Sequence, residues 1–247
     1  MSPTPSSPNS PADPSARQLP SAESLRLSAA YADRSAAVHD SWLDPAHRWM
    51  MQERERRTLS LLSREGCTSL GDTRILEIGC GAGNWLRDLV RWGATPENVV
   101  GVDLLADRVT TARRLTAPGV TVTQGDISSL TFPDASFDLV IQSTVFSSIL
   151  DADRRRRTAA EKRRVLRRTG LIVWYDFHVD NPANPSVRAV RRAELAPLFP
   201  GCSVRMERLT LAPPIARAVA PISPLVCELL ALIPWLRTHT LAAIRPA

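Results

Sequence analysis

The sequence predicts an α/β fold: a doubly wound, mostly parallel sheet of seven strands in a three-layer α/β/α arrangement. Two observations predict it. Between residues 74 and 178, short continuous apolar runs alternate with helical segments, as in parallel strands buried on both faces. Beyond residue 178 two more strand-like segments, 202–211 and 240–245, are separated by an apolar helical insertion. A length of 247 residues suits one such domain with appendages.

In chain order, residues 1–22 read as a disordered tail. Pro3, Pro5, Pro8, Pro11, Pro14 and Pro20 punctuate it with serines between, and such a segment buries too little apolar surface to offset its ordering entropy. Residues 23–247 form the single domain. Its first part, 24–66, reads as a helical cover with Tyr31, Trp42 and Trp49 as large anchors. Pro45 suits the first turn of a helix that stops at Gly66, and Glu53-Arg54-Glu55-Arg56-Arg57 reads as a solvated face.

Strands are expected at 74–78, 99–103, 120–124, 137–142 and 171–177, with helices at 84–92, 107–115 and 151–168 between them. The last of these helices carries the run Arg154 to Arg157, read as solvated. A short helix at 192–199 precedes the strand at 202–211. The stretch 212–237 is apolar but broken by Pro213, Pro214, Pro221, Pro224 and Pro234, which suits a substrate cover or a homodimer interface.

Composition narrows the function. The 31 basic and 25 acidic residues leave a net charge of +6, yet every basic residue except Lys162 is arginine. That uniformity reflects coding bias rather than phosphate binding, so no nucleic-acid partner is expected. Cys67, Cys80, Cys202 and Cys227 are too scattered for a zinc site or a disulfide framework, and no metal is expected. No run nears the ~18 apolar residues of a membrane span, so no stable membrane insertion is expected. The start lacks the charged and apolar regions of a secretory signal, which makes a cytoplasmic location the expectation.

The most informative stretch is Glu77-Ile78-Gly79-Cys80-Gly81-Ala82-Gly83-Asn84-Trp85, at a strand-to-helix junction. Glycines there permit φ > 0 and let a ligand lie against the backbone beside the helix N–H groups. The spacing is G-x-G-x-G, with a carboxylate two positions ahead. Glu77 suits a ligand bearing an ammonium group better than a pyrophosphate. Asp103 ends the second strand, where a carboxylate accepts ribose hydroxyls. Asp126 follows the third strand, placed to accept from an exocyclic amine, with Ile127 against an adenine face. All three acids fall at adjacent strand ends, where open α/β sheets bind ligands.

On these residues the sequence resembles the class I S-adenosylmethionine-dependent methyltransferases, over roughly residues 74–178. The resemblance implies a Rossmann-like fold, S-adenosyl-L-methionine as cofactor, and cofactor contacts from Glu77, Gly79, Gly81, Gly83, Asp103, Leu104, Asp126, Ile127 and Gln142. Phe137-Asp138-Leu139-Val140-Ile141-Gln142-Ser143 resembles the family's fourth-strand motif, whose end lines the methyl-transfer face. Arg168-Thr169-Gly170 departs from the family's Pro-Gly-Gly turn.

Methyl transfer needs proximity and orientation, and an oxygen or nitrogen acceptor also needs a nearby base. Asp176 and His178 alternate onto one face at the fifth strand's end and are the candidate base or polarising group; capping of the following loop is the alternative. Tyr31, Ser143 and Thr144 are candidate substrate contacts. His39 and His47 lie in the helical cover, where packing is the simpler role. The leading expectation is O- or C-methylation of a small-molecule acceptor. A nicotinamide-dependent oxidoreductase fits less well, since Asn84 stands where its third loop glycine belongs. A non-enzymatic module docking its basic helix at a membrane surface is the other alternative.

Overall fold

The computed structural model describes residues 22–32, 41–181 and 184–247. The tail and His39 lie outside them. The seven-stranded sheet is observed, in the order β3-β2-β1-β4-β5-β7-β6. Its strands are β1 (Ile75–Ile78), β2 (Val99–Asp103), β3 (Thr121–Gln124), β4 (Phe137–Ser143), β5 (Leu166–Phe177), β6 (Cys202–Leu211) and β7 (Arg237–Pro246). The first five pair in parallel, with Ile75 opposite both Val99 and Leu139. β7 inserts antiparallel between β5 and β6.

Period-two alternation sorts the strand residues between two cores. Ile75, Leu139, Ile141, Leu171, Val173 and Tyr175 pack toward α3 (Asn84–Arg91), α4 (Ala106–Leu115) and the end of α2 (Pro45–Arg64). Their neighbours Leu76, Ile78, Val140, Ile172 and Trp174 pack toward α5 (Ala152–Val165) and α6 (Arg192–Leu198). A third cluster joins α2 to α7 (Pro213–Val219) and α8 (Pro224–Ala231), which lie between β6 and β7. At the front, α1 (Ala22–Ala32) is tied down by Arg26, which donates to the carbonyls of Ser148 and Ser186.

Two expectations are corrected. α5 ends at Val165, not 168, because Leu166 turns extended and pairs with Phe137 of β4. Arg167 binds Asp138 at 2.5 Å, holding this segment against β4. Nor is the Arg154 to Arg157 run one solvated face. Arg154 and Arg155 are buried, and only Arg156 and Arg157 are exposed. Arg155 Nε donates to the Ile149 carbonyl at 2.7 Å and its Nη1 pairs with Glu194 at 3.2 Å.

Candidate cofactor and acceptor site

The C-terminal ends of β1, β2 and β4 open into a cavity of about 650 Å³, within the ~300–1,000 Å³ common for small-molecule sites. Its floor is the loop after β1. Gly79 N and Cys80 N donate to the Val102 carbonyl at 2.7 and 3.0 Å, which folds the loop over the end of β2. Gly79 sits at φ +66°, and a Cβ there would fall 2.5 Å from Cγ2 of Val145. The backbone therefore faces the cavity bare at a position where only glycine fits.

Asp103 joins this loop to the next strand. Its Oδ2 accepts from Gly81 N at 2.8 Å and its Oδ1 from Leu105 N at 3.0 Å. These bonds fix the carboxylate at the cavity wall, beside Leu104 and Leu105. Ile127 forms a further wall.

The three acids do not share one role. Glu77 is fully buried and does not line the cavity. Its Oε2 has no hydrogen-bond partner among the described residues. Burial pushes its carboxyl well up; the Arg54 charge opposes this, while Asp103 and Asp88 add to it. Asp126 is set back from the cavity: its Oδ1 accepts from Ser128 N, Ser128 Oγ and Arg154 Nη2 at 2.8, 2.7 and 2.9 Å. Arg154, not Asp126, lines the cavity there.

Gln142 is buried as well, its Nε2 donating to the Tyr175 carbonyl and Asp176 Oδ2 at 3.3 Å each. Ser143 and Thr144 do reach the cavity. Thr144 adopts φ +53° while its N–H donates to the Tyr175 carbonyl at 2.8 Å. Gly81 and Gly83 shape the loop from behind the surface, Gly83 at φ +77° opening α3.

Asp176 and His178 stand away from this cavity. Asp176 Oδ2 accepts from Phe146 N at 2.9 Å and Ser147 N at 3.2 Å, and its Oδ1 from Phe177 N at 2.9 Å. Fully buried, it fixes the turn after β4 and offers no oxygen to an acceptor. Its carboxyl is pushed up by burial, against the pull of these bonds. His178 is half-buried beside Thr240, with Nδ1 3.2 Å from its hydroxyl. The side chain of Tyr31, in α1, falls outside the described residues.

The imidazole at the cavity belongs to His47, packed edge-on against Trp42 at 6.0 Å. With Met51 and Arg54 it forms an i, i+4, i+7 stripe on α2, a spacing that marks these residues as one face. Arg54 lies 4.9 Å from the Trp85 ring centroid and 5.8 Å from that of Tyr175. Its charge run is thus not one solvated face: Arg54 is half-buried and Glu53 is buried, its Oε2 accepting from Thr210 N at 3.0 Å. Leu27 of α1 and Trp42 close the cavity's outer side, and Val145 and Ile149 its inner side.

Residues 75–170 match the family model of a methyltransferase domain. A 2-phytyl-1,4-naphtoquinone methyltransferase of Trichormus variabilis is 26% identical over 75% of this chain and 80% of its own length. A sterol 24-C-methyltransferase of Yarrowia lipolytica is 32% identical over 42% of this chain and 27% of its own. The chain spans only 27–40% of the curated relatives that exceed 30% identity. Among solved structures, an S-adenosylmethionine-dependent methyltransferase from Mesorhizobium loti superposes with a TM-score of 0.56 at 20% identity, covering 75% of this chain and 96% of its own.

Proposed function

From a class I S-adenosylmethionine-dependent methyltransferase domain over residues 75–170, we propose that this protein methylates a lipophilic small molecule at carbon or oxygen. The observation that carries the reading is the bare Gly79 backbone and the fixed Asp103 carboxylate meeting at one cavity. The residues present fit the cofactor. Asp103 would accept the ribose hydroxyls, Leu104 and Ile127 would flank the base, and Gly79 would lie under the methionine part. Glu77, with an unpartnered oxygen beneath the loop, favours a positive charge above it. When bound, S-adenosylmethionine supplies an electrophilic methyl group on a sulfonium.

The chain's own contribution is placement and exclusion of water. Leu27, Trp42, Met51, Val145 and Ile149 offer the acceptor an apolar surface within a lining that also holds Arg54, Arg87, Arg108 and Arg154. The sterol and naphthoquinone named for two relatives support the same class of acceptor. His47 is the imidazole at the cavity and is the proposed group to take or polarise an acceptor proton. The helices of 212–237 pack behind α2 and hold that wall.

Two measurements test the reading. Isothermal titration with S-adenosylhomocysteine should show saturable binding to the folded protein. Incubation with methyl-labelled S-adenosylmethionine and a lipid extract should move label into organic-soluble product. Label found only in water-soluble product would overturn the lipophilic acceptor, and absent cofactor binding would overturn the whole reading.

A further inference from the structure

The insertion between β6 and β7 turns an apolar face to solvent. α7 and α8 bury Ala216, Ala220, Cys227 and Ala231 against Ala46, Trp49 and Met50 of α2. On their other side Leu225, Leu229 and Leu232 follow at i, i+4, i+7, so they share one stripe, and all three are exposed. Ile222 is 84% exposed at the start of this stripe and Trp235 is 78% exposed just beyond it. Large apolar surfaces left open in this way mark sites of interaction or membrane contact.

Charge decides between occupants. The insertion carries Arg217 and Arg237 against one acid, Glu228. That acid is already bonded, to Arg56 at 2.7 Å and to the Trp49 Nε1 at 3.2 Å. Arg48, also exposed, donates to the Trp42 carbonyl at 3.2 Å. Asp44, beside Leu43, is a second acid here, so the rim carries four arginines, Arg48, Arg56, Arg217 and Arg237, to two acids, in a chain of net charge +6. The insertion and the cavity share one support, α2. α2 presents Ala46, Trp49 and Met50 to the insertion and His47, Met51 and Arg54 to the cavity. Immediately ahead of it, Trp42 lines the cavity yet remains more than half exposed, and Leu43 is 87% exposed.

We propose that this face docks the protein on an anionic lipid bilayer. α7, α8 and the Trp42–Leu43 rim lie in the headgroup layer, so that a lipophilic acceptor passes from the membrane into the cavity. Indole rings suit that layer, with an apolar body and one N–H donor. Arginines around the rim meet anionic headgroups. Among the described residues no helix is long and apolar enough to cross a membrane, so the contact is with its surface. Only the passage of the acceptor rests on the proposed function; the docking does not.

The test is sedimentation of the full chain with phosphatidylcholine vesicles, with and without phosphatidylglycerol, without cofactor or acceptor. Partition into the mixed vesicles is expected, at least ~10-fold weaker without the anionic lipid and weakened again by salt. Leu225→Asp with Leu229→Asp should lower partition at least ~10-fold, since both side chains leave the apolar layer. Arg156→Gln with Arg157→Gln, on α5, should leave it unchanged. The paired Leu variants alter exposed positions, and an unchanged thermal midpoint verifies their fold. Equal partition of the parent and the paired Leu variant would overturn the proposal, as would no partition at all. A dimer in sedimentation velocity that the Leu variants dissolve would also overturn it and assign the face to a second copy. A failure here leaves cofactor binding and methyl transfer standing, and loss of either of those leaves the docking measurement standing.

Discussion

Arg154 holds Asp126: its Nη2 lies 2.9 Å from Oδ1, with the arginine side chain almost wholly buried and the aspartate partly open. The pair makes one unit of the third strand's end and the start of α5, with the guanidinium on the cavity side. Asp126→Asn and Arg154→Met should each weaken S-adenosylhomocysteine binding. Residues in direct contact are expected to couple, so the double variant should deviate from additivity by ~0.5–3 kcal/mol. Additive losses in calorimetry would mean that Asp126 meets the cofactor without Arg154.

Asp103 serves the loop and the proposed ligand together, which two substitutions can separate. Asp103→Ala removes the acceptor for Gly81 N and Leu105 N. It should lower both thermal stability and cofactor affinity, the latter by ~1–3 kcal/mol. Asp103→Asn keeps one acceptor oxygen but sets its NH2 against the other backbone N–H, so it should lose less stability than the Ala variant while still losing affinity. An Asn variant that binds like the parent would remove Asp103 from the ribose.

The sheet was legible because buried parallel strands write themselves as continuous apolar runs, and the 99–103 strand matches to the residue. The glycine loop was legible because Gly79 cannot be replaced where a Cβ would meet Val145. What escaped was tertiary burial of charge. Arg54, Arg154 and Arg155 sit in runs that look solvated, and a run of arginines carries no mark of which members a neighbouring element will cover. For Arg54 the signal was present, as the His47–Met51–Arg54 spacing. For Asp176, alternation gave the face correctly, but nothing local told that the turn after β4 would present Phe146 N and Ser147 N to it.

Asp176 is therefore expected to matter for stability. Asp176→Ala leaves those buried N–H groups without an acceptor and should cost ~1–3 kcal/mol or more in denaturant unfolding. A variant that unfolds like the parent but loses methyl transfer would restore the base role.

The nearby Lys162 is fully buried, its Nζ lacking a hydrogen-bond partner among the described residues and lying 4.4 and 4.6 Å from the Phe146 and Trp174 ring centroids. Burial pushes its amine well down, and Asp176 offsets this only in part. The unfolded chain therefore holds this proton more tightly than the native one. Stability should rise with pH from the lowered native value up to the unfolded value of about 10.4. Lys162→Met should stabilise the protein by about 1–4 kcal/mol near neutral pH, as replacement of buried charge by a packed apolar chain can. It should also flatten that slope. Destabilisation by Met would show that the cation–π contacts outweigh desolvation.

Arg54 and Glu77 set the pH response of the proposed cofactor site. In the free protein, burial holds the Glu77 carboxyl well up and Arg54 opposes that rise. A bound ammonium or sulfonium favours the ionised carboxylate, so binding should release a proton from Glu77 wherever the free protein still carries it. Affinity for S-adenosylhomocysteine should accordingly increase as pH is raised through the Glu77 titration. Arg54→Leu removes the opposing charge and should displace the increase to higher pH. Glu77→Gln should abolish it while leaving the fold intact, since the amide matches the carboxyl in shape. Calorimetry in buffers of different ionisation enthalpy measures the released proton directly. A parent protein whose affinity is flat with pH, or a Gln variant that keeps the slope, would place the cofactor's charge away from Glu77.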